Sequence, residues 1–399
     1  MKSTWAALLA ALLAASAPAL AQSGDRELPP ALLTAVTAYR AGDLAGAEAK
    51  LRKLAQNNAD AEAWLGAVLL DRGHGREGLQ ALQHALAAGS PEAAHQLGLV
   101  YAHGLAGIER DDARAAQLFE RAATAGLYRA QLNLGILYLR GQGVPRDLVR
   151  ARGWLEKAAT SNDPYALYAL ARALERGERA AQPDPVRAAD LYRRAAEKGH
   201  PLAALRYGLA LADGEGVKQD AAGAQRWLLA AQKDGVPEAA LALGDLTARR
   251  LAPRDKAANQ KIMENAATWY RLAADAGVPS AQFKLANAYT AGSGVGRDLV
   301  QAAAWYGRAA RQGLPQAQLA LGILLLGGAG GAAEPVEGYK WLLLAERGGN
   351  AESHMVREKA SGQIAPADRA RAETLAAAFV PKLERPLGDG PPALARPQP

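Results

Sequence analysis

The sequence predicts an all-α chain, a right-handed α-solenoid built of helix-turn-helix repeats. Three observations lead there. Half of the residues are hydrophobic but only 6% are aromatic, so alanine carries much of the apolar content. Alanine is the best helix former and lets helices approach closely. The chain has 399 residues, longer than a single hydrophobic core usually grows. Finally, two ladders of residues share one spacing. Small residues recur at Gly98, Gly135, Ala171, Gly208, Gly244, Ala286 and Gly322, and closing residues at Gly126, Asn162, Gly199, Gly235, Gly277, Gly313 and Gly349. In both, the steps are 36 or 37 residues, apart from one step of 42 that falls in the same copy. Two independent ladders that agree on an insertion are the signature of a repeat array.

The elements follow in chain order. Lys2, the apolar run Trp5 to Ala15 and the small-x-small site Ala19-Leu20-Ala21 read as a signal peptide over 1–21, with Gln22 as the mature amino terminus. The run is shorter than the roughly 20 residues a membrane span needs, and it breaks at Pro18. The chain is thus expected in the periplasm of a Gram-negative cell, with no membrane span. The absence of cysteine excludes disulfides, thiolate metal sites, a cysteine nucleophile and a cysteine-linked lipid anchor. Residues 22–30 read as a linker. Residues 31–56 and 59–89 form two shorter hairpins, the first turning at Arg40-Ala41-Gly42-Asp43 and the second carrying Trp64-Leu65-Gly66; together they fill 31–90.

The array spans 91–350. Helix A of each copy opens with proline in six of seven cases: Pro91, Pro164, Pro201, Pro237, Pro279 and Pro315. The first helical turn has no intrahelical use for the missing N–H. A loop with paired glycines follows, as in Gly141-Gln142-Gly143-Val144, where glycine permits a left-handed helix end. Asp147, Asp184, Asp220 and Asp298 then suit the start of helix B, since aspartate accepts from free N–H groups of a first turn. In helix B, Leu118, Trp154, Leu191, Trp227, Trp269, Trp305 and Trp341 each stand eight residues before a closing residue. Four residues later come Ala122, Ala158, Ala195, Ala231, Ala273, Ala309 and Ala345, on the same helical face. The large rings are expected to be mostly buried in the inter-repeat core.

With these residues in place, the pattern resembles the Sel-one-like repeat, a longer relative of the tetratricopeptide repeat. Ala130, Leu134, Gly135, Tyr138, Gly141, Gly143, Val144, Asp147, Ala151, Trp154, Ala158 and Ala159 fit its motif closely. The third copy departs from it at Gln182-Pro183-Asp184-Pro185. The fifth lacks the paired glycines and carries a basic segment, 249–261, expected to enlarge a loop or lengthen helix B. The seventh has Gly327-Gly328-Ala329-Gly330-Gly331, expected to be a flexible loop. The two leading hairpins look tetratricopeptide-like. Residues 351–385 read as a helical cap with a helix start at Pro366, because terminal repeats need their open faces covered. The tail 386–399 holds five prolines and is expected to be disordered.

Chemistry is sparse. The net charge is +7, but basic and acidic residues alternate without a dense basic run, so a solvated surface is expected and no nucleic-acid partner. The paired glycines follow a helix rather than a strand, which is not the setting of a dinucleotide fingerprint. The six histidines form no metal-binding motif, and no nucleophile elbow occurs. No cofactor, metal or catalytic residue is expected, and the chain reads as a non-enzymatic scaffold. The resemblance implies binding of a protein partner, in envelope or exopolysaccharide-secretion assembly; a polysaccharide- or peptidoglycan-binding module is the alternative. In tetratricopeptide-like packing the inward positions lie six before, three before, one after and four or five after the small residue. This implies Arg129, Leu132, Ile136, Leu139 and Arg140 in copy two, Tyr165, Tyr168, Arg172, Glu175 and Arg176 in copy three, and Leu205 and Leu209 in copy four. Arginine and tyrosine are enriched at interface hot spots, and the arginines would favour a carboxylate-bearing partner.

Overall fold

A computed structural model describes residues 28–175, 182–251 and 255–385. The expected signal peptide over 1–21, most of the expected linker, Arg176 and the proline-rich tail lie outside the described residues. Among the described residues every regular element is a helix, and the chain is an α-solenoid of helix-turn-helix repeats. Contacts divide it into two compact units. The first holds the described residues up to Ala203 together with Glu215–Val217; the second holds Ala204–Gly214 and the described residues from Lys218 onward.

In the first unit, α1 (Pro30–Arg40) pairs with α2 (Leu44–Leu54), and α3 (Ala59–Asp71) with α4 (Gly75–Ala87). The A and B helices of the first three copies follow: α5 (Pro91–His103) and α6 (Asp112–Thr124), α7 (Tyr128–Arg140) and α8 (Leu148–Ala159), α9 (Pro164–Glu175) and α10 (Pro185–Glu197). Helix α11 (Pro201–Asp213) starts at the end of this unit and runs into the second. The second unit continues with α12 (Ala221–Lys233), α13 (Pro237–Ala248), α14 (Lys256–Asp275), α15 (Pro279–Ala291), α16 (Leu299–Arg311), α17 (Pro315–Gly327) and α18 (Pro335–Arg347). Helices α19 (Ala351–Ser361) and α20 (Pro366–Ala377) close it against α18.

The local signals act as their chemistry requires. All six prolines open their helices. Asp147, Asp184 and Asp220 accept from the N–H three residues on, at 2.9–3.0 Å, and Asp298 accepts from two N–H groups. Asp111 and Asp255 cap helix B of copies one and five in the same way. Asn162 takes the left-handed backbone of the closing glycines, with φ 58°. In the fifth copy the insertion lengthens helix B: α14 has 20 residues where α12 has 13.

The core slot of helix B is not the one the tryptophan ladder indicates. Trp154, Trp227, Trp269 and Trp305 are half-buried, and only Trp341 is buried. The interior residue is the next one along: Phe119, Leu155, Tyr192, Leu228, Tyr270, Tyr306 and Leu342 are all buried. These side chains fill the space left by the small residue of helix A. A Cβ added to Gly98 would lie 2.6 Å from the Phe119 ring, and one on Gly135 would lie 2.7 Å from Leu155. One residue is about 100° of helical turn, so the tryptophan is rotated to the edge of the core. There the ring is half wet, and in two copies it carries a cation: Lys157 over Trp154 at 4.2 Å, Arg308 over Trp305 at 4.6 Å. The alanines four residues on are fully buried, because they share the core face with the residue after the tryptophan.

The second glycine of each pair sets the spacing between copies. A Cβ on Gly143 would stand 2.0 Å from the Asp112 carbonyl oxygen, and one on Gly216 2.0 Å from that of Pro185. Gly294 meets the Met263 carbonyl in the same way. Each glycine thus lies directly on helix B of the preceding copy, which accounts for the motif without any phosphate site.

Candidate functional site

The inward positions of the first unit are largely filled from within. In copy two, Leu132, Ile136 and Leu139 are buried and hold α7 among its neighbours. Arg129 is also buried; its Nη2 donates to Glu92 Oε2 at 2.8 Å, and its guanidinium lies 5.0 Å from the Trp64 ring centroid. Burial alone would raise the Glu92 carboxyl, but the Arg129 charge, with hydrogen bonds from His95 and Gln96, outweighs it and holds the group at about 2. In copy three, Tyr168 and Arg172 are buried and joined, Arg172 Nη1 donating to Tyr168 Oη at 3.1 Å, with Arg172 Nε 3.6 Å from Glu175. The residues of this set that reach solvent are Tyr165, which is 43% exposed, Arg140, which is half-buried, and Glu175. Arg176 lies outside the described residues. The unit therefore brings the set together as one layer of α7 and α9, mostly as internal support, with Arg140 and Tyr165 at its surface.

Tyr165 and Tyr168 meet His200, which stacks on Tyr168 at 4.4 Å and stands edge-on to Tyr165 at 4.8 Å. His200 Nδ1 accepts the Ala203 N–H at 3.2 Å and so caps α11. Burial pushes the imidazole down to about 4. The unfolded chain takes up this proton below about pH 6.5 while the folded chain does not until about pH 4. The stabilisation is thus whole above pH 6.5 and is lost as pH falls through that window, on the order of 3 kcal/mol in all. Thermal melts from pH 7.5 to 4 should show this loss. His200→Asn keeps a capping acceptor and should flatten the slope in that window; an unchanged slope would assign the proton uptake elsewhere.

In the second unit the same positions form an open groove. Between α11 and α13 lies a cavity of about 220 Å³ lined by Leu205, Leu209, Leu241 and Leu246, with Arg206, Arg249, Glu238 and Asp245 also in its lining. Leu205 and Leu209 are expected inward residues of copy four. Glu238, Leu241, Asp245 and Arg249 are six before, three before, one after and five after Gly244, so the same rule carried one copy further finds them. The charged lining is held in place by its own bonds: Asp245 accepts from Tyr270 Oη at 2.8 Å and pairs with Lys284 at 2.8 Å, and Arg249 pairs with Asp213 at 2.7 Å. An apolar floor between fixed charges of both signs suits a peptide or protein surface better than a small uncharged solute. Among the described residues there is no cluster of three potential metal ligands and no helix long and apolar enough to cross a membrane.

Comparison with known proteins agrees with this architecture. The model of the Sel1 repeat matches seven times in succession, at residues 91–127, 129–163, 164–200, 201–235, 237–278, 279–314 and 315–350. Among solved structures, a protective antigen of uropathogenic Escherichia coli that displays an SLR fold is 28% identical, with a TM-score of 0.72 over 88% of this chain and 76% of that one. A Sel1 repeat protein of Oxalobacter formigenes is 29% identical, with a TM-score of 0.60 over 88% of this chain and 99% of that one. A component of an ERAD-associated E3 ubiquitin-protein ligase of Arabidopsis thaliana is 38% identical over 100 residues, 25% of this chain and 15% of that protein. The chain spans less than half the length of the curated relatives it matches.

Proposed function

The chain belongs to the Sel1 repeat family, and from that premise we propose that it is a non-enzymatic scaffold that binds another protein along its A helices. Repeat stacks offer extended surfaces in place of a catalytic cleft. The observation that carries the reading is the groove between α11 and α13, whose leucine floor lies open between opposed charges. In the first unit, Arg140 and Tyr165 are separate candidate contacts at the surface of copies two and three. The amino-terminal pattern Lys2, Trp5 to Ala15 and Ala19-Leu20-Ala21 supports export to the periplasm, where the scaffold would serve assembly of envelope or exopolysaccharide-secretion complexes.

One experiment tests both parts. The chain recovered from the periplasmic fraction should begin at Gln22 by mass spectrometry and should retain a stoichiometric protein partner. Leu209→Lys with Leu246→Lys, both at half-buried positions, should lower that capture by about ten-fold or more while leaving helicity unchanged. A chain that keeps Met1 and stays in the cytoplasm would refute export. Undiminished capture by the folded double variant would refute the groove, and retention by peptidoglycan alone would replace the protein partner with a glycan.

A further inference from the structure

The described residues beyond α20 pack on the second unit. Residues 380–385, which form neither helix nor strand, run back along the starts of its repeats. Phe379 anchors the turn edge-to-face on Trp341 at 5.4 Å. The Lys382 N–H donates to the Arg311 carbonyl at 2.9 Å, and the Glu384 N–H to Gln312 Oε1 at 3.1 Å. The Glu384 carboxylate receives a two-pronged grip from Arg308, Nε to Oε1 at 3.0 Å and Nη2 to Oε2 at 2.6 Å. Gln282 Nε2 adds a third donor at 2.9 Å. One residue on, Arg385 pairs with Glu238, which also lines the groove between α11 and α13.

The groups that hold this strap are positioned by the repeats themselves. Gln312 Nε2 is tied to the Gly277 carbonyl at 3.2 Å and to Gln282 Oε1 at 2.9 Å; Gln282 Nε2 also donates to the Ala274 carbonyl at 3.2 Å. Gln282 is fully buried and Gln312 is 7% exposed. Arg308 rests on the Trp305 ring. Such a receptor spends little ordering entropy when it binds. The strap, by contrast, contributes little apolar anchoring, since Val380 is 79% and Leu383 45% exposed. It is held by backbone bonds and by one acidic and one basic side chain, features that another chain can reproduce.

We infer that Arg308, Gln282, Gln312 and Glu238 form a recognition site for an extended partner segment with an acidic residue followed directly by a basic one, and that residues 380–385 occupy this site in cis until such a segment displaces them. The inference rests on the scaffold reading and names the ligand class for the second unit. The bidentate arginine fork selects a carboxylate, the glutamines read the backbone and the acid together, and Glu238 selects the cation that follows.

The test uses the full chain and trypsin, because Lys382 precedes Leu383 within the strap and a protease needs that bond released and extended. In the wild type, cleavage after Lys382 should be slow. A hexapeptide matching residues 380–385 but with Lys382→Gln, which removes its own tryptic site, serves as the probe. A tether of this kind acts at an effective concentration near millimolar, so millimolar probe should speed cleavage by about five-fold. The same peptide with Glu384→Lys should have no effect. Arg308→Glu should leave the strap open, with fast cleavage that the probe does not change. Cleavage equally fast in wild type and Arg308→Glu would show that the site does not hold the strap. A wild-type rate unmoved by several millimolar probe would show a fixed structural closure and overturn the recognition site; this arm needs no variant to fold. Either failure leaves partner capture through the leucine floor to be decided by its own double variant.

Discussion

Leu155→Ala is expected to destabilise the chain more than Trp154→Ala, although tryptophan is much the larger side chain. Leu155 is fully buried and lies in the space that Gly135 leaves open. Its truncation removes apolar contacts and leaves a cavity between two helices that are already as close as a glycine permits. Such changes cost about 2–5 kcal/mol. Trp154 is half-buried, and its exposed ring face carries Lys157 at 4.2 Å. Losing part of a ring's burial and one cation–π contact costs about 1–2 kcal/mol. Urea unfolding with hydrogen exchange at the α7 and α8 amides measures both, because a repeat array opens locally as well as globally. A larger loss for the tryptophan would return the core slot to the tryptophan ladder.

Gly143→Ala is expected to be the most disruptive single methyl group in the array. Two costs add. Gly143 has φ +67°, and its Cβ would stand 2.0 Å from the Asp112 carbonyl oxygen and 2.6 Å from the Ala113 nitrogen. The left-handed backbone costs about 1–2 kcal/mol for an alanine. The overlap is with backbone that no rotamer change can move aside, and overpacking adds about 1–3 kcal/mol. Gly42→Ala separates the two terms: Gly42 has φ +82° with nothing within 4 Å, so only the first applies. Melting curves of the two variants should differ by the contact term, and exchange should rise where α6 meets the loop after α7. Equal losses would mean that the glycine pair serves only the turn and does not set the distance between copies.

Seen from these residues, the helices and their ends were legible in the sequence because their causes are local. Proline at a first turn, aspartate at an N-cap and glycine at a left-handed closing position each act within a few residues of themselves. The array could be read because one local solution is repeated, so that both ladders record the same insertion in copy five. Alanine at the core face of helix B was legible for the same reason: Ala158, Ala195 and Ala231 are fully buried.

Three matters needed the tertiary structure, because each depends on which surface meets another. A recurring tryptophan marks a repeat position, but a ring at the core and a ring at its edge recur equally well. Only the close approach of Gly135 to Leu155 shows which residue faces the partner helix. The inward positions of α7 and α9 carry the side chains of a binding face, yet Arg129 is taken up by Glu92 and Arg172 by Tyr168. Partners 37 residues away in sequence, as for Arg129 and Glu92, are supplied by packing and not by a helical period. The pairing of Gln282 with Glu384 spans 102 residues. No periodicity or motif links them, and the return of the chain past α20 alone brings a solvated acid onto a buried amide.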